Sequence, residues 1–191
     1  MPERLRLARP EDASAIQAVY APYVETTSAN FELVAPTAAE MERRMGESRG
    51  LYPWIALDMD GRLEGYAYAT AWRPRAAYGW TVETTIYLSP TGRGGGRSRR
   101  LYSALLAILE AQQFVEAVGT IALPNRESVW LHESLGYRCV GIGKRFGFKL
   151  GEWRDVGWWS RPLAARRTPP PTTIPVVELD SRVIEEALAF L

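Results

Sequence analysis

Few side chains in this sequence can do chemistry. It holds one histidine, His132, and one cysteine, Cys139. A single cysteine forms neither an internal disulfide nor a thiolate cluster, and one imidazole beside it gives no zinc set. Reactivity therefore falls to carboxylates, hydroxyls, backbone amides and that imidazole. Residues 80–113 concentrate them: Glu83 in a β-rich run, then Arg93-Gly94-Gly95-Gly96-Arg97-Ser98, then a helical pattern. A lone carboxylate among β-branched and aromatic residues is costly unless it is paired or functional. Strand, glycine turn and helix together make an anion cradle, because free N–H groups and the helix dipole meet at the turn. The arginines around it point to a ligand carrying several phosphates.

Plainer readings stand beside these. The glycine run could be a flexible linker or an arginine-glycine nucleic-acid segment, although its place between a strand and an amphipathic helix favours the cradle. Glu83 could face water at a sheet edge or pair with an arginine. His132 could be a structural helix-face residue, and Asn125 is sufficiently explained as a helix N-cap.

The elements that must position these groups follow from periodicity. Residues 5–8 read as a strand, 10–20 as a helix with Asp12 as cap, and 21–30 as irregular. Residues 36–47 read as a second helix. Residues 54–59 and 62–71 read as strands around Asp60-Gly61, a hairpin signal. In the strand 80–88, Trp80, Val82, Thr84, Ile86 and Leu88 share one face, and Thr81, Glu83, Thr85 and Tyr87 the other. The helix from about 97 to 113 carries Leu101, Leu105, Ile108 and Leu109 as an apolar stripe. A strand at 117–123, a short helix from Asn125 to Gly136, and strands at 137–148 and 153–160 complete the order. Residues 163–178, rich in proline, read as an extended linker. Residues 179–191 read as an amphipathic helix with Val183, Ile184, Ala187, Leu188 and Leu191 on one face. It is expected to dock on its own domain or on a second subunit.

The chain has 191 residues, enough for one well-packed domain, with 47% hydrophobic and 24% charged residues and a net charge of +1. That balance argues against general capture of nucleic acid or a membrane surface. There is no apolar run near membrane-spanning length and no apolar stretch after the N-terminus. The single cysteine fits a reducing cytoplasm.

The order of elements and several segments resemble the GNAT superfamily of N-acetyltransferases, over roughly residues 4–161. The segments are Tyr52-Pro53-Trp54, Arg75 through Glu83 (RAAYGWTVE), Tyr87-Leu88-Ser89-Pro90, Leu101-Tyr102, Leu123-Pro124-Asn125, His132-Glu133-Ser134-Leu135-Gly136-Tyr137 and Trp153-Arg154-Asp155-Val156-Gly157. Within the superfamily the sequence is most similar to the phosphinothricin and methionine-sulfoximine N-acetyltransferases. The resemblance implies an α/β (α+β) fold with a mixed, mostly antiparallel sheet of about seven strands flanked by four helices, occupying 1–162. It implies acetyl-CoA as co-substrate, no metal, a small amino-acid analogue as acceptor, and a homodimer.

Site residues follow from it position by position. Glu83 falls where the family has its general base. His132 falls where many members have the acid for the departing thiolate, with Tyr102 as the alternative. The pyrophosphate motif falls on Arg93, Gly94, Gly95, Gly96, Arg97 and Ser98, the serine replacing a smaller residue. Tyr87, Leu88, Asn125 and Ser128 are expected along the rest of the cofactor. Phe31, Arg73, Arg75 and Tyr78 are expected around the amine substrate, where a guanidinium would hold its carboxylate. Acyltransfer to another amine, or a non-catalytic acyl-CoA-binding module, are the alternatives; Glu83 counts against the second.

Overall fold

The computed structural model describes residues 3–48 and 50–189. Seven strands form one sheet in the order β1-β2-β3-β4-β5-β7-β6. They are β1 (Arg4–Leu7), β2 (Trp54–Met59), β3 (Arg62–Ala71), β4 (Thr81–Leu88), β5 (Glu116–Leu123), β6 (Arg138–Lys149) and β7 (Glu152–Pro162). Every neighbouring pair is antiparallel except β4 with β5. The helices are α1 (Ala13–Thr26), α2 (Ala38–Glu47), α3 (Arg97–Ala111), α4 (Arg126–Ser134) and α5 (Ser181–Leu188). The first four flank the sheet as expected. The terminal α5 joins them, packing on α3 and β1.

Two cores follow from the alternation of strand faces. On one face the α3 stripe, Leu101, Leu105, Ile108 and Leu109, lies fully buried against Ile55, Ala67, Val82 and Ile121. On the other, Ile16, Tyr20 and Val24 of α1 and Met41 of α2 pack on Trp54, Tyr66 and Tyr87. Val82 and Tyr87 thus confirm the two-faced reading of β4.

Two local expectations are corrected. The first helix does not end at Tyr20 but runs through Pro22 to Thr26. Burial of Tyr20 and Val24 outweighs the ring's clash and the lost N–H. Thr26 and Thr27 hydroxyls bond the carbonyls of Pro22 and Tyr23 at 2.7 and 2.8 Å. Asp12 makes no side-chain cap on α1. Its carboxylate is taken by Arg6, at 2.6 and 2.9 Å, and by the Arg9 amide.

The proline-rich stretch is extended, and it is also fastened to the domain. Trp80 Nε1 donates to the Pro171 carbonyl at 2.5 Å. Buried Gln112 donates to the carbonyls of Leu51 and Ile174, at 2.6 and 2.7 Å. Phe190 and Leu191, the end of the expected terminal helix, lie outside the described residues.

Candidate active site

The parallel pair β4–β5 lasts three residues, Thr81 to Glu83 against Glu116 to Val118. Beyond it β4 stays in register with β3 through Leu88, while β5 stays with β7 through Leu123. Each strand follows its full-length partner, so the two diverge and leave unpaired backbone groups along a wedge. A cavity of about 560 Å³ occupies this gap, lined by Thr84–Leu88, Thr120, Asn125, Ser128 and His132 among others.

At the far end of the gap lies the glycine turn. Gly94, Gly95 and Gly96 have φ of +83°, +58° and +75°, a left-handed run that a side chain would disfavour. Gly96 precedes the first residue of α3, and Arg100 makes the first helical bond, to the Gly96 carbonyl. Among the described residues, the amides of Gly95, Gly96, Ser98 and Arg99 have no backbone acceptor. With the dipole of a 15-residue helix behind them they form a site for an anion. Arg93, Gly94 and Ser98 line the cavity. Arg93 lies against Tyr23, donating to its hydroxyl at 3.1 Å, a contact that raises the arginine's pKa.

Arg97 is not brought to the cavity. Its guanidinium pairs with Glu3 and donates to the Arg93 carbonyl at 3.0 Å. It braces the turn from behind, and with Arg100 ties α3 to the chain just before β1. Gly95 and Gly96 likewise serve the turn through their backbone.

Glu83 stands at the vertex, where the parallel pairing stops. Its same-face neighbours are Thr81, Thr85, Thr70 of β3 and Val118 of β5. Thr85 lines the gap, Thr81 and Val118 line an open shelf, and Thr70 lines a third hollow by α2. Glu83 is half-buried among neighbours that line three separate depressions, and it is not itself in the lining of any of the three. Among the described residues its carboxylate has no ion-pair partner.

His132 sits on the opposite face, 4% exposed. Its Nδ1 donates to the Ser128 carbonyl at 2.7 Å, and its Nε2 is 2.9 Å from Tyr102 Oη. Burial lowers its pKa and keeps the ring neutral. Tyr102 is fully buried and does not line the gap. It lies behind His132, its hydroxyl held protonated by burial. Asn125 caps α4 by accepting from the Ser128 amide at 3.1 Å and also lines the gap, so cap and wall coincide in one residue.

The expected substrate residues divide. Arg73 and Tyr78 line the shelf next to Thr81 and Val118, with Trp158 and Arg166. Arg73 lies over the Trp72 ring at 4.2 Å. Arg75 is exposed before a short turn and lines neither gap nor shelf. Phe31 packs over Gly147, where a Cβ would fall 2.4 Å from its ring, and lies outside the gap lining.

Residues that sequence reasoning passed over are Tyr23, Thr84, Gly119 and Tyr137. Thr84 and Tyr137 hydroxyls lie 2.8 Å apart behind the gap. Tyr137 closes the His132–Tyr137 segment without an assigned role, and the other three carry no motif of their own; the close approach of β4, β5, α3 and α4 reveals them. No group of three or more His, Cys, Asp and Glu among the described residues could hold a metal ion. No helix among the described residues is long and apolar enough to cross a membrane.

Comparison with known proteins agrees with this geometry. The family model described as "Acetyltransferase (GNAT) domain" matches residues 5–158. The chain is 38% identical over 178 residues to a phosphinothricin N-acetyltransferase of Streptomyces viridochromogenes, covering 93% of this chain and 97% of that one. It is 30% identical over 175 residues to an L-methionine sulfoximine/L-methionine sulfone acetyltransferase of Pseudomonas aeruginosa, covering 89% and 100%. Among solved structures, a phosphinothricin acetyltransferase from Sinorhizobium meliloti in complex with AcCoA superposes with a TM-score of 0.86. It is 36% identical, with 92% of this chain and 97% of that one covered.

Proposed function

This chain belongs to the GNAT acetyltransferase family and is an acetyl-CoA-dependent N-acetyltransferase, and we propose that its acceptor is the α-amine of a small amino-acid analogue. The phosphinothricin, methionine sulfoximine and methionine sulfone class is the one we assign. The observation that carries this reading is the wedge between β4 and β5, with the glycine cradle at one end and Glu83 at its vertex. The cradle suits a pyrophosphate. The unpaired strand edges suit an extended arm bearing amides, as in strand addition. Both features fit acetyl-CoA, with Arg93, the turn amides, Asn125 and Ser128 along it.

In the proposed reaction the two substrates meet at the vertex and gain from proximity. Glu83 takes a proton from the ammonium, directly or through water, because the protonated amine has no lone pair to attack with. The nitrogen then bonds the thioester carbonyl carbon while β4 backbone amides polarise its oxygen. The carbon–sulfur bond breaks, the sulfur takes a proton, and N-acetyl product and CoA leave. The shelf beside Glu83, with Arg73 and Tyr78, supplies the place for the acceptor's carboxylate, and Arg75 would have to swing in to join them.

We attach a homodimer in the cytoplasm to this reading. Val140, Ile142, Phe146, Phe148 and Trp153 of the β6–β7 edge are about half or more exposed, an apolar face of the sort that a second copy covers. Sedimentation of wild type against Phe146→Glu tests it: a dimer predicts that the variant sediments as a monomer.

The reaction is tested by acetyl-CoA-dependent thiol release with phosphinothricin, methionine sulfoximine, methionine sulfone, common amino acids and polyamines. Preference for the first three supports the assignment; turnover of polyamines alone refutes it.

A further inference from the structure

One large apolar side chain stands bare at the rim of the gap. Trp130 of α4 is 65% exposed, while Leu131 and His132 beside it are buried. It lines the gap, yet among the described residues no aromatic ring, cation or hydrogen-bond partner lies against its indole. A free indole face is unfavourable in water, and it is the platform on which flat heterocycles stack.

Arg126 lies one helical turn before Trp130 and shares its face of α4, and Glu133 follows on the same face. Arg126 is exposed and also lines the gap, and its guanidinium makes no ion pair or hydrogen bond among the described residues. The arginines around the glycine turn are otherwise engaged. Arg97 and Arg100 pair with Glu3, and Arg93 donates to Tyr23. Glu127, the one carboxylate in the gap lining among the described residues, acts on Arg93.

A second hollow, of about 480 Å³, adjoins the gap across this ridge. Asn125, Arg126 and Trp130 line both. The hollow adds Leu123, Pro124 and Val129 as an apolar wall, and Glu133 with Asp155 of β7 as carboxylates. Along α4 its lining therefore runs from a cation in the first turn, past an aromatic plane, to a carboxylate two turns on. That sequence of groups matches a purine nucleoside phosphate. The phosphate meets the guanidinium, the base stacks on the indole, and the base amine, a donor, faces the acidic end. A purely apolar occupant would desolvate both charges without replacing their water. Gly94 and Ser98 of the cradle line the same gap as Trp130, so a ligand with its pyrophosphate in the cradle carries its nucleotide end to this rim.

We propose that Trp130 and Arg126, with the hollow beside them, seat the adenosine 3′-phosphate end of acetyl-CoA, the adenine on the indole and the 3′-phosphate on the guanidinium. The assignment rests on the acetyl-CoA reading of the gap and not on which amine is acetylated.

Three ligands separate the contacts: acetyl-CoA, 3′-dephospho-acetyl-CoA, and S-acetyl-4′-phosphopantetheine, which has no nucleoside. Their Kd values for the full chain are read by calorimetry, with weak ligands read by displacement of acetyl-CoA. Trp130→Ala should weaken both nucleotide-bearing ligands about 5- to 100-fold, the range of one stacked base, and leave the truncated ligand within about twofold. Trp130→Phe keeps an aromatic face and should stay within about threefold of wild type. Arg126→Gln should weaken acetyl-CoA about 3- to 10-fold, as one solvent-facing charge-assisted contact does. It should leave the dephospho ligand unchanged and flatten the salt dependence of acetyl-CoA binding.

Equal loss on all three ligands would mean that the substitution disturbs α4 as a whole, and it overturns the proposal. So does an unchanged Kd for acetyl-CoA in Trp130→Ala, or a Trp130→Phe variant as weak as Trp130→Ala. An Arg126→Gln effect shared by the dephospho ligand overturns the placement of the 3′-phosphate. If Trp130→Ala alters sedimentation and leaves every Kd alone, the indole is a protein contact and the proposal fails. If the Kd pattern holds and none of the amines turns over, the nucleotide seat stands and the acceptor assignment fails.

Discussion

Gly119 of β5 lies directly under the imidazole of His132, and a Cβ at 119 would fall 2.4 Å from Nε2. No rotation of a methyl relieves such a distance, so one of the two elements would have to move. The single imidazole of the site is therefore seated by the absence of a side chain on the neighbouring strand. We expect Gly119→Ala to displace His132 from Tyr102 and to destabilise the fold by about 1–3 kcal/mol, the usual cost of overpacking. Denaturant unfolding measures the second effect, and the ¹⁵N tautomer and pKa of the ring measure the first.

Burial of His132 also makes stability depend on pH with a definite sign. Its folded pKa lies below the ordinary value of 6.5. As pH falls below that value the unfolded chain takes up a proton that the folded chain refuses, so stability decreases with falling pH down to the folded pKa. Unfolding free energies of wild type should drop from pH 7.5 to pH 5, and His132→Gln should remove that part of the drop. The comparison isolates one residue because no second histidine exists.

Lys149 of β6 is 3% exposed and donates to the carbonyl and Oδ1 of Asn30 at 3.0 and 3.1 Å. Burial lowers its pKa. It pins the loop that carries Phe31 to the sheet. Lys149→Met should leave the Asn30 carbonyl without this donor and its Oδ1 with only the Glu32 amide at 3.2 Å, cost about 1–3 kcal/mol, and speed amide exchange in residues 27–34 more than elsewhere.

Gln112 fastens the tail, donating to Leu51 and Ile174. Gln112→Met keeps the shape, strips the Ile174 carbonyl of its donor and leaves the Leu51 carbonyl with only the Val176 amide at 3.3 Å. We expect a loss of about 2 kcal/mol and faster proteolysis within residues 163–178, read by limited digestion.

What the sequence made legible was what short-range pattern encodes. The alternation in β4, the α3 stripe, the Asp60-Gly61 turn and the Asn125 cap each depend on residues within a few positions of one another, and each is found where periodicity put it. The glycine turn is found with three left-handed residues in a row. What pattern could not reach was partnership over distance. Arg97 looks like a phosphate ligand until Glu3, 94 positions away, takes its guanidinium. Thr84 looks like any β-branched strand residue until Tyr102 and Tyr137 converge on its hydroxyl. Pro22 should end a helix by its own stereochemistry, and the burial of Val24 beyond it decides otherwise.

The central claim is that Glu83, at the point where β4 and β5 part, is the base for the acceptor amine. It is tested most directly by kcat with phosphinothricin for wild type and Glu83→Gln, together with the Kd for acetyl-CoA. The account predicts a fall in kcat of about 10²- to 10⁴-fold, the usual contribution of a positioned base, with the Kd unchanged. A variant that keeps kcat within about threefold of wild type, less than such a base contributes, would contradict it.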